Sequence, residues 1–285
     1  MSLIVIGRSG QLARALARLA PEARFLGRED ADLADPAAAV AALVPHLAGA
    51  GAVINAAAFT AVDRAEAEEA LAHTVNAESP GAMARVAAAA GVPFVHVSTD
   101  YVFDGTGDAP WRPGDAPAPL NAYGRTKLAG EQAVRAAGGV HAVLRTSWVF
   151  SGRGADFVGA MLRLGAGRPR LRVVADQIGG PTPAADLAHA CLTVARALAR
   201  DPALSGVYHY AGAPDISRAG FARAILAAAG MGTQVEDIPT TAYPTPAQRP
   251  LNSCLDCSST TAAFGLARPD WRAGLRDALA QKGAA

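Results

Sequence analysis

The first half of this chain alternates short β-branched runs with alanine-rich helical stretches, and that alternation restricts its fold more than any other feature. Leu3-Ile4-Val5-Ile6 reads as a strand, residues 11–19 as a helix and 24–26 as a second strand. Residues 36–47 read as a helix and 52–54 as a third strand. A long helical stretch over 73–90 stops at Gly91. A fourth strand at 93–98, a helix at 121–137 and a fifth strand at 140–146 follow. Strands that alternate with helices pair in parallel, and their right-handed crossovers put helices on both faces. The predicted fold is α/β, a doubly wound parallel Rossmann-like sheet.

Past about residue 148 the rhythm loosens. Helices are expected at 156–165, 184–199, 217–229 (Ser217 as N-cap) and 272–281. Strands are expected at 171–174 and 207–210, and a Thr- and Pro-rich loop at 240–250. The 285 residues exceed the ~150 of an average domain, so two lobes are expected. The division falls at about residue 150: 1–150 as the sheet domain, 151–285 as a smaller α/β lobe with some segments returning to the first.

Composition excludes several function classes. Lys plus Arg is 26 and Asp plus Glu 25, a net charge of +1. Such balance leaves no electrostatic footprint for nucleic acid or an anionic membrane. Three cysteines make no disulfide framework, which points to a reducing, cytoplasmic setting. Met1 runs straight into the first strand with no basic n-region, so no signal peptide is expected. Residues 36–62 carry no Asp, Glu, Lys or Arg, but Pro45, His46, Gly49, Gly51 and Asn55 interrupt them. They are expected to form helix, turn and buried strand rather than a membrane span.

Gly7-Arg8-Ser9-Gly10-Gln11-Leu12-Ala13 joins the first strand to the first helix. Glycine there permits positive φ and close backbone approach, and a helix N-terminus offers free N–H groups to a pyrophosphate. A dinucleotide site follows. The second strand ends Leu26-Gly27-Arg28, with no acid before Glu29. That favours NADPH, whose 2′-phosphate suits Arg28, with NADH the second choice. Asp32 and Leu33 come next and are placed beside the adenine.

Tyr123-Gly124-Arg125-Thr126-Lys127 carries the chemistry. Residues four apart share a helix face, so phenol and ammonium can enter one site. An unperturbed Tyr is a poor proton shuttle at neutral pH; a nearby Lys is expected to lower its pKa. The pair suits acid–base work on a carbonyl or alcohol. Ser98 and Thr99 close the fourth strand, where ligand groups of a parallel sheet gather. Either hydroxyl can bond the carbonyl oxygen that Tyr123 protonates.

A glycine turn, a strand-end hydroxyl and Tyr-x-x-x-Lys in this order resemble the extended short-chain dehydrogenase/reductase superfamily. Within it the chain resembles the dTDP-4-dehydrorhamnose reductase family. The matching blocks are Gly7 to Leu12, Asn55 to Asp63, Ser98 to Gly105, Pro119 to Gly124, Lys127 to Glu131, Arg145 to Phe150, Thr240 to Pro246 and Arg249 to Ser253. They span essentially the whole chain. The resemblance implies NAD(P)H-dependent reduction of the C4 ketone of dTDP-4-dehydro-L-rhamnose. Tyr123 would be the proton donor, Lys127 would hold the nicotinamide ribose, and Thr99, preferred over Ser98, would polarise the carbonyl. Gly10, Gln11 and Leu12 would lie on the pyrophosphate, with Ala57, Ala58, Phe59 and Thr60 along the cofactor. Asp100, Trp148, Arg249 and Asn252 would contact the sugar or its nucleotide.

The chain departs from the family at Ala13 (often Gly), Gly27 (an acid in some members), Phe59 (often a polar aromatic) and Cys254 (usually Arg). Ala15 replaces the acid that binds magnesium in some members, so no metal is expected. Cys254 and Cys257, spaced as CxxC without a second pair, are expected to be buried thiols, and Cys191 core. Trp111 and Trp271 are expected to pack, and Arg168, Arg170 and Arg172 to line a solvated edge. The expected partner is a nucleotide sugar, the expected state monomer or homodimer. The competing readings are a reductase of another nucleotide-linked 4-keto-sugar and a non-catalytic NADP-binding regulatory subunit on the same fold.

Overall fold

The computed structural model describes residues 1–152 and 156–283; residues 153–155 and 284–285 of the expected second lobe lie outside it. The first half runs β1 (Leu3–Ile6), α1 (Gln11–Leu19), β2 (Arg24–Leu26), α2 (Pro36–Leu43), β3 (Ala52–Asn55), α3 (Val62–Ala67), α4 (Glu69–His73), α5 (Ser79–Ala89), β4 (Phe94–Thr99), α6 (Ala122–Ala136) and β5 (His141–Thr146). Next come β6 (Val149–Phe150), α7 (Phe157–Ala166), β7 (Arg170–Val174), β8 (Ile178–Gly179), β9 (Thr182–Pro183), α8 (Ala184–Arg200) and β10 (Gly206–His209). The chain closes with β11 (Ile216–Ser217), α9 (Arg218–Ala228), β12 (Gln234–Ile238), β13 (Asn252–Ser253), α10 (Ser258–Phe264) and α11 (Trp271–Gly283).

The main sheet has six strands in the order β10-β5-β4-β3-β1-β2, and every pairing is parallel. Its central strands are buried on both faces, which is why they read as unbroken apolar runs. One face packs Leu12 and Leu16 of α1 with Leu187, Cys191 and Val194 of α8. The other packs Leu43 of α2, Met83 and Ala87 of α5 and Val134 of α6. The doubly wound α/β expectation is thus met, and α8 and β10 return from the second half to complete the sheet. A separate core gathers Phe150, Val158, Phe221, Ile225 and Trp271 beside the short sheets β12-β7 and β11-β8-β13.

Local chemistry sets the boundaries. Asp35 accepts from the N–H groups of Ala37 and Ala38 and caps α2; the helix tightens to a 3₁₀ turn at Val44–His46, around Pro45. Residues 36–62, read as a non-spanning segment, form α2, that turn and β3. No helix of the described residues is long and apolar enough to cross a membrane. The expected single helix over 73–90 is interrupted by a π turn at Thr74–Glu78, a feature that recurs at functional sites. α3, α4, α10, β12 and the two-residue strands β6, β8, β9, β11 and β13 were not expected from the sequence. β12 alternates weakly and is mostly exposed, so it shows no buried stripe to read. Its Glu236 meets Arg170 and Arg172, which do form a solvated edge.

Candidate functional site

The carboxyl edge of the main sheet collects the site. Gly7, at φ +108°, turns the chain out of β1, and a Cβ on it would sit 3.4 Å from that of Ala57. Gly10 precedes α1 in extended conformation with open space on its Cβ side, so the N-terminus of α1 faces the crevice. Leu12 and Ala13 are buried behind it. Gln11 donates weakly to the Val149 carbonyl (3.4 Å). Ala57, Ala58 and Phe59 are half-buried and Thr60 exposed. Asn76, in the π turn, holds this stretch: it accepts from Phe59 N–H (2.8 Å) and donates to Thr126 of α6 (3.0 Å).

At the end of β2 the arrangement differs from the sequence expectation. The Arg28 side chain is 83% exposed and only approaches Asp32 (3.6 Å). Leu33 is drawn into the core behind α2. Arg8, in the glycine turn, takes the neighbouring acids instead: it binds Glu29 and Asp30 (2.8 Å) and donates to the Phe25 carbonyl.

Thr99 ends β4 and lies in register with Thr146 of β5. It donates to Asp100 Oδ1 (3.0 Å) and acts on the Tyr123 phenol. Asn121 caps α6 through the Gly124 N–H. Gly124 must be glycine, since a Cβ there would stand 2.2 Å from the Tyr101 carbonyl oxygen. That close approach sets Tyr123 edge-on to Tyr101, with ring centroids 5.6 Å apart. Burial pushes the Tyr123 phenol above its ordinary range; Thr99 opposes this, and Asp100 and Tyr101 add to it. Lys127 is not directed at Tyr123. Its Nζ donates to the Val97 carbonyl (2.7 Å) and faces His96 Nε2 (3.3 Å). Burial therefore outweighs the expected lowering of the Tyr123 pKa by Lys127.

Asp100 is buried, and burial pushes its carboxyl up to about 6, with Ser253, Thr99 and the Arg218 charge opposing. Trp148 sits at φ +49°, the one non-glycine at positive φ among the described residues, a conformation that costs about 1–3 kcal/mol and is typical of functional sites. Arg218 lies 3.6 Å over its indole and acts on both Tyr101 and Asp100. Arg249 binds Asp63 bidentately, and its charge acts on Tyr101. The Asn252 amide is spent internally, on the Ala109 carbonyl (2.8 Å) and the Cys254 N–H (3.0 Å); its neighbour Ser253 is the one beside Asp100. Sequence reasoning missed Ser253, Arg218, Asn76 and His96. Ser253 lay inside a quoted block; the others carried no local signal.

Four buried polar atoms have no partner among the described residues: Gln11 Oε1, Asp100 Oδ2, Thr146 Oγ1 and Ser259 Oγ. Ser259 lies on α10, and the first three belong to the carboxyl edge. Unmade hydrogen bonds at buried sites cost about 1–3 kcal/mol each, so a polar ligand fits here, and the open N-terminus of α1 fits a dinucleotide phosphate. Among the described residues no three of His, Cys, Asp and Glu group as metal ligands. Cys191, Cys254 and Cys257 are buried thiols.

A parallel doubly wound sheet with this glycine turn, strand-end Thr and Tyr-x-x-x-Lys defines an NAD(P)H-dependent reductase of the extended short-chain dehydrogenase type. The family model described as RmlD substrate binding domain matches residues 1–283. A dTDP-4-dehydrorhamnose reductase of Burkholderia thailandensis is 44% identical, over 99% of this chain and 100% of its own. A crystal structure of a dTDP-4-dehydrorhamnose reductase from Clostridium acetobutylicum superposes with a TM-score of 0.91 at 32% identity, covering 99% of this chain and 100% of that one. The Bacillus anthracis dTDP-4-dehydrorhamnose reductase, solved in complex with NADP, gives 0.90 at 32% identity and the same coverage. The chain belongs to the dTDP-4-dehydrorhamnose reductase family.

Proposed function

We propose that this protein reduces the C4 ketone of dTDP-4-dehydro-L-rhamnose to dTDP-L-rhamnose, preferring NADPH and accepting NADH. The observation that carries the reading is the gathering at the sheet edge of the buried Tyr123 phenol, Thr99 and its bonded neighbour Asp100, with the Asp100 Oδ2 unpartnered beside them. Residues 1–150 serve the cofactor. Gly7, Gly10, Gln11 and Leu12 meet the pyrophosphate, Ala57 to Thr60 the nicotinamide half, and Arg28, Asp32 and the Leu33 backbone the adenosine end. Residues 151–285 serve mainly the sugar nucleotide.

Bound NAD(P)H supplies the hydride. Thr99 Oγ1 turns from Asp100 to the ketone oxygen and polarises it. The Tyr123 phenol, held protonated by burial, gives its proton to that oxygen as negative charge develops. Lys127 holds the nicotinamide ribose. Asp100, Trp148 and Arg249 hold the sugar or its carrier, and Asn252 shapes that wall through Ser253. The reading places the protein in the cytoplasm, as a monomer or homodimer without nucleic-acid or membrane partners.

The test is NADPH oxidation followed optically with dTDP-4-dehydro-L-rhamnose, with NADH as control. Wild type should turn over, Tyr123→Phe should lose about 10²- to 10⁴-fold in kcat, and Lys127→Ala should lose both rate and cofactor affinity. No turnover in a sample that binds NADPH would move the assignment to another 4-keto-sugar or to a regulatory subunit.

A further inference from the structure

His96 and Lys127 are both buried beneath the site, at 0% and 1% exposure, and their contact is specified from behind. Asn55 Oδ1 accepts the Ala57 N–H (3.1 Å). The NH₂ end of that amide is therefore the one set 3.1 Å from His96 Nδ1. An amide NH₂ only donates, so Nδ1 accepts and the neutral ring carries its hydrogen on Nε2. Nε2 lies 3.3 Å from Lys127 Nζ. Set against an ammonium, this N–H is donor against donor; set against an amine, it meets a lone pair. The Val97 carbonyl takes one amine hydrogen (2.7 Å), which completes a docked, uncharged lysine.

We propose that His96, held by Asn55 in the Nε2–H tautomer, is a positioning residue for Lys127: it docks the amine on β4 and biases it towards the uncharged form, so that Lys127 takes up a proton from solvent when it turns to the cofactor. The proposal rests on the reading of Lys127 as the ribose-binding group. Burial agrees with it, holding the His96 ring well below its ordinary pKa and Lys127 down at about 8.

The surroundings supply little that competes. On α6, Glu131 favours the charged lysine, but its carboxylate is shared by Arg145 of β5 and Ser98 of β4. The turn after β4 brings Asp100, which acts on Tyr123. The π turn brings neutral Asn76. α3 brings Glu66, which accepts the Ala122 N–H. α4 brings Glu69, paired with exposed Arg125, and α5 brings exposed Arg85.

The experiment has two arms. Long-range proton–nitrogen NMR of ¹⁵N-histidine-labelled enzyme, without cofactor at pH 7, should show His96 neutral with its hydrogen on Nε2. An Nδ1–H or charged ring would overturn the proposal. Calorimetry of NADPH binding at pH 9, in buffers of different ionisation enthalpy, should show uptake of close to one proton. Asn55→Asp offers Nδ1 an acceptor and turns the ring over, so Nε2 can then accept from an ammonium. This variant should take up clearly less than half a proton, and the alkaline limb of its kcat/KM profile should rise by about one pH unit. Uptake unchanged from wild type would overturn the proposal. Absence of sugar turnover in wild type would sink the assigned reaction while leaving the NMR and binding arms to decide this one.

Discussion

Asp100 places a carboxyl where burial disfavours its charge. Its pKa, raised from 3.8 to about 6, means that the unfolded chain gives up this proton first as pH rises. Its contribution to stability is therefore full below about pH 4 and lost through about pH 6. Two pH units at ~1.4 kcal/mol each make the native penalty up to about 3 kcal/mol at neutral pH. Asp100→Asn should stabilise the fold at pH 8 by up to about that amount and leave it nearly unchanged at pH 4, as read from urea unfolding at the two pH values. Activity should fall, because the unpartnered Oδ2 is lost. Trp148 likewise holds a costly conformation, with its positive φ braced by Arg218 over the indole.

At the scale of elements, α6 is set by two close approaches that only glycine allows. A Cβ at Gly124 would meet the Tyr101 carbonyl at 2.2 Å, and one at Gly130 the Asn76 carbonyl at 2.0 Å. Gly124→Ala should destabilise by about 1–3 kcal/mol, as overpacking does. It should also lower kcat well beyond what the lost stability explains, since the helix that carries Tyr123 must shift. Gly130→Ala should bring a similar loss of stability, and its kinetic effect should appear in cofactor affinity through Asn76 and Phe59. Thermal melting beside kcat and cofactor Kd separates the two. Tyr-Gly-x-x-Lys was legible in the sequence as a helix face; the need for its glycine was not, because the obstructing carbonyl comes from another element.

Across the whole molecule, one buried network ties the sheet to the later half of the chain. Arg145 and Glu131 pair bidentately (2.7 and 2.9 Å), at 3% and 2% exposure. Arg145 also donates to the Pro113 carbonyl (3.2 Å) and reaches His209 of β10 (3.4 Å), and His209 bonds the Trp111 carbonyl. Trp111 stacks on Phe103 at 4.6 Å. Glu131→Gln leaves a buried guanidinium uncompensated and should cost about 3–5 kcal/mol. Glu131→Leu combined with Arg145→Met should recover much of that loss. Urea unfolding of Glu131→Leu, of Arg145→Met and of the double measures the coupling, and strict additivity would show that the pair does not act as a unit.

The sequence by itself determined the alternating α/β order, the first five sheet strands, the glycine turn and the Tyr-x-x-x-Lys face. These depend on periodicity and turn chemistry within a dozen residues. The tertiary structure decided what those residues meet. It turned Lys127 to His96 and Val97, gave Glu29 and Asp30 to Arg8, left Arg28 in solvent, and spent Asn252 on Ala109 and Cys254. It also brought α8 and β10 back to finish the sheet, and set Arg218 over Trp148 across 70 residues of chain. Partners so far apart in sequence leave no local pattern, because the free energy that selects them arises only when burial removes water and each polar group must find the neighbour that the packing supplies.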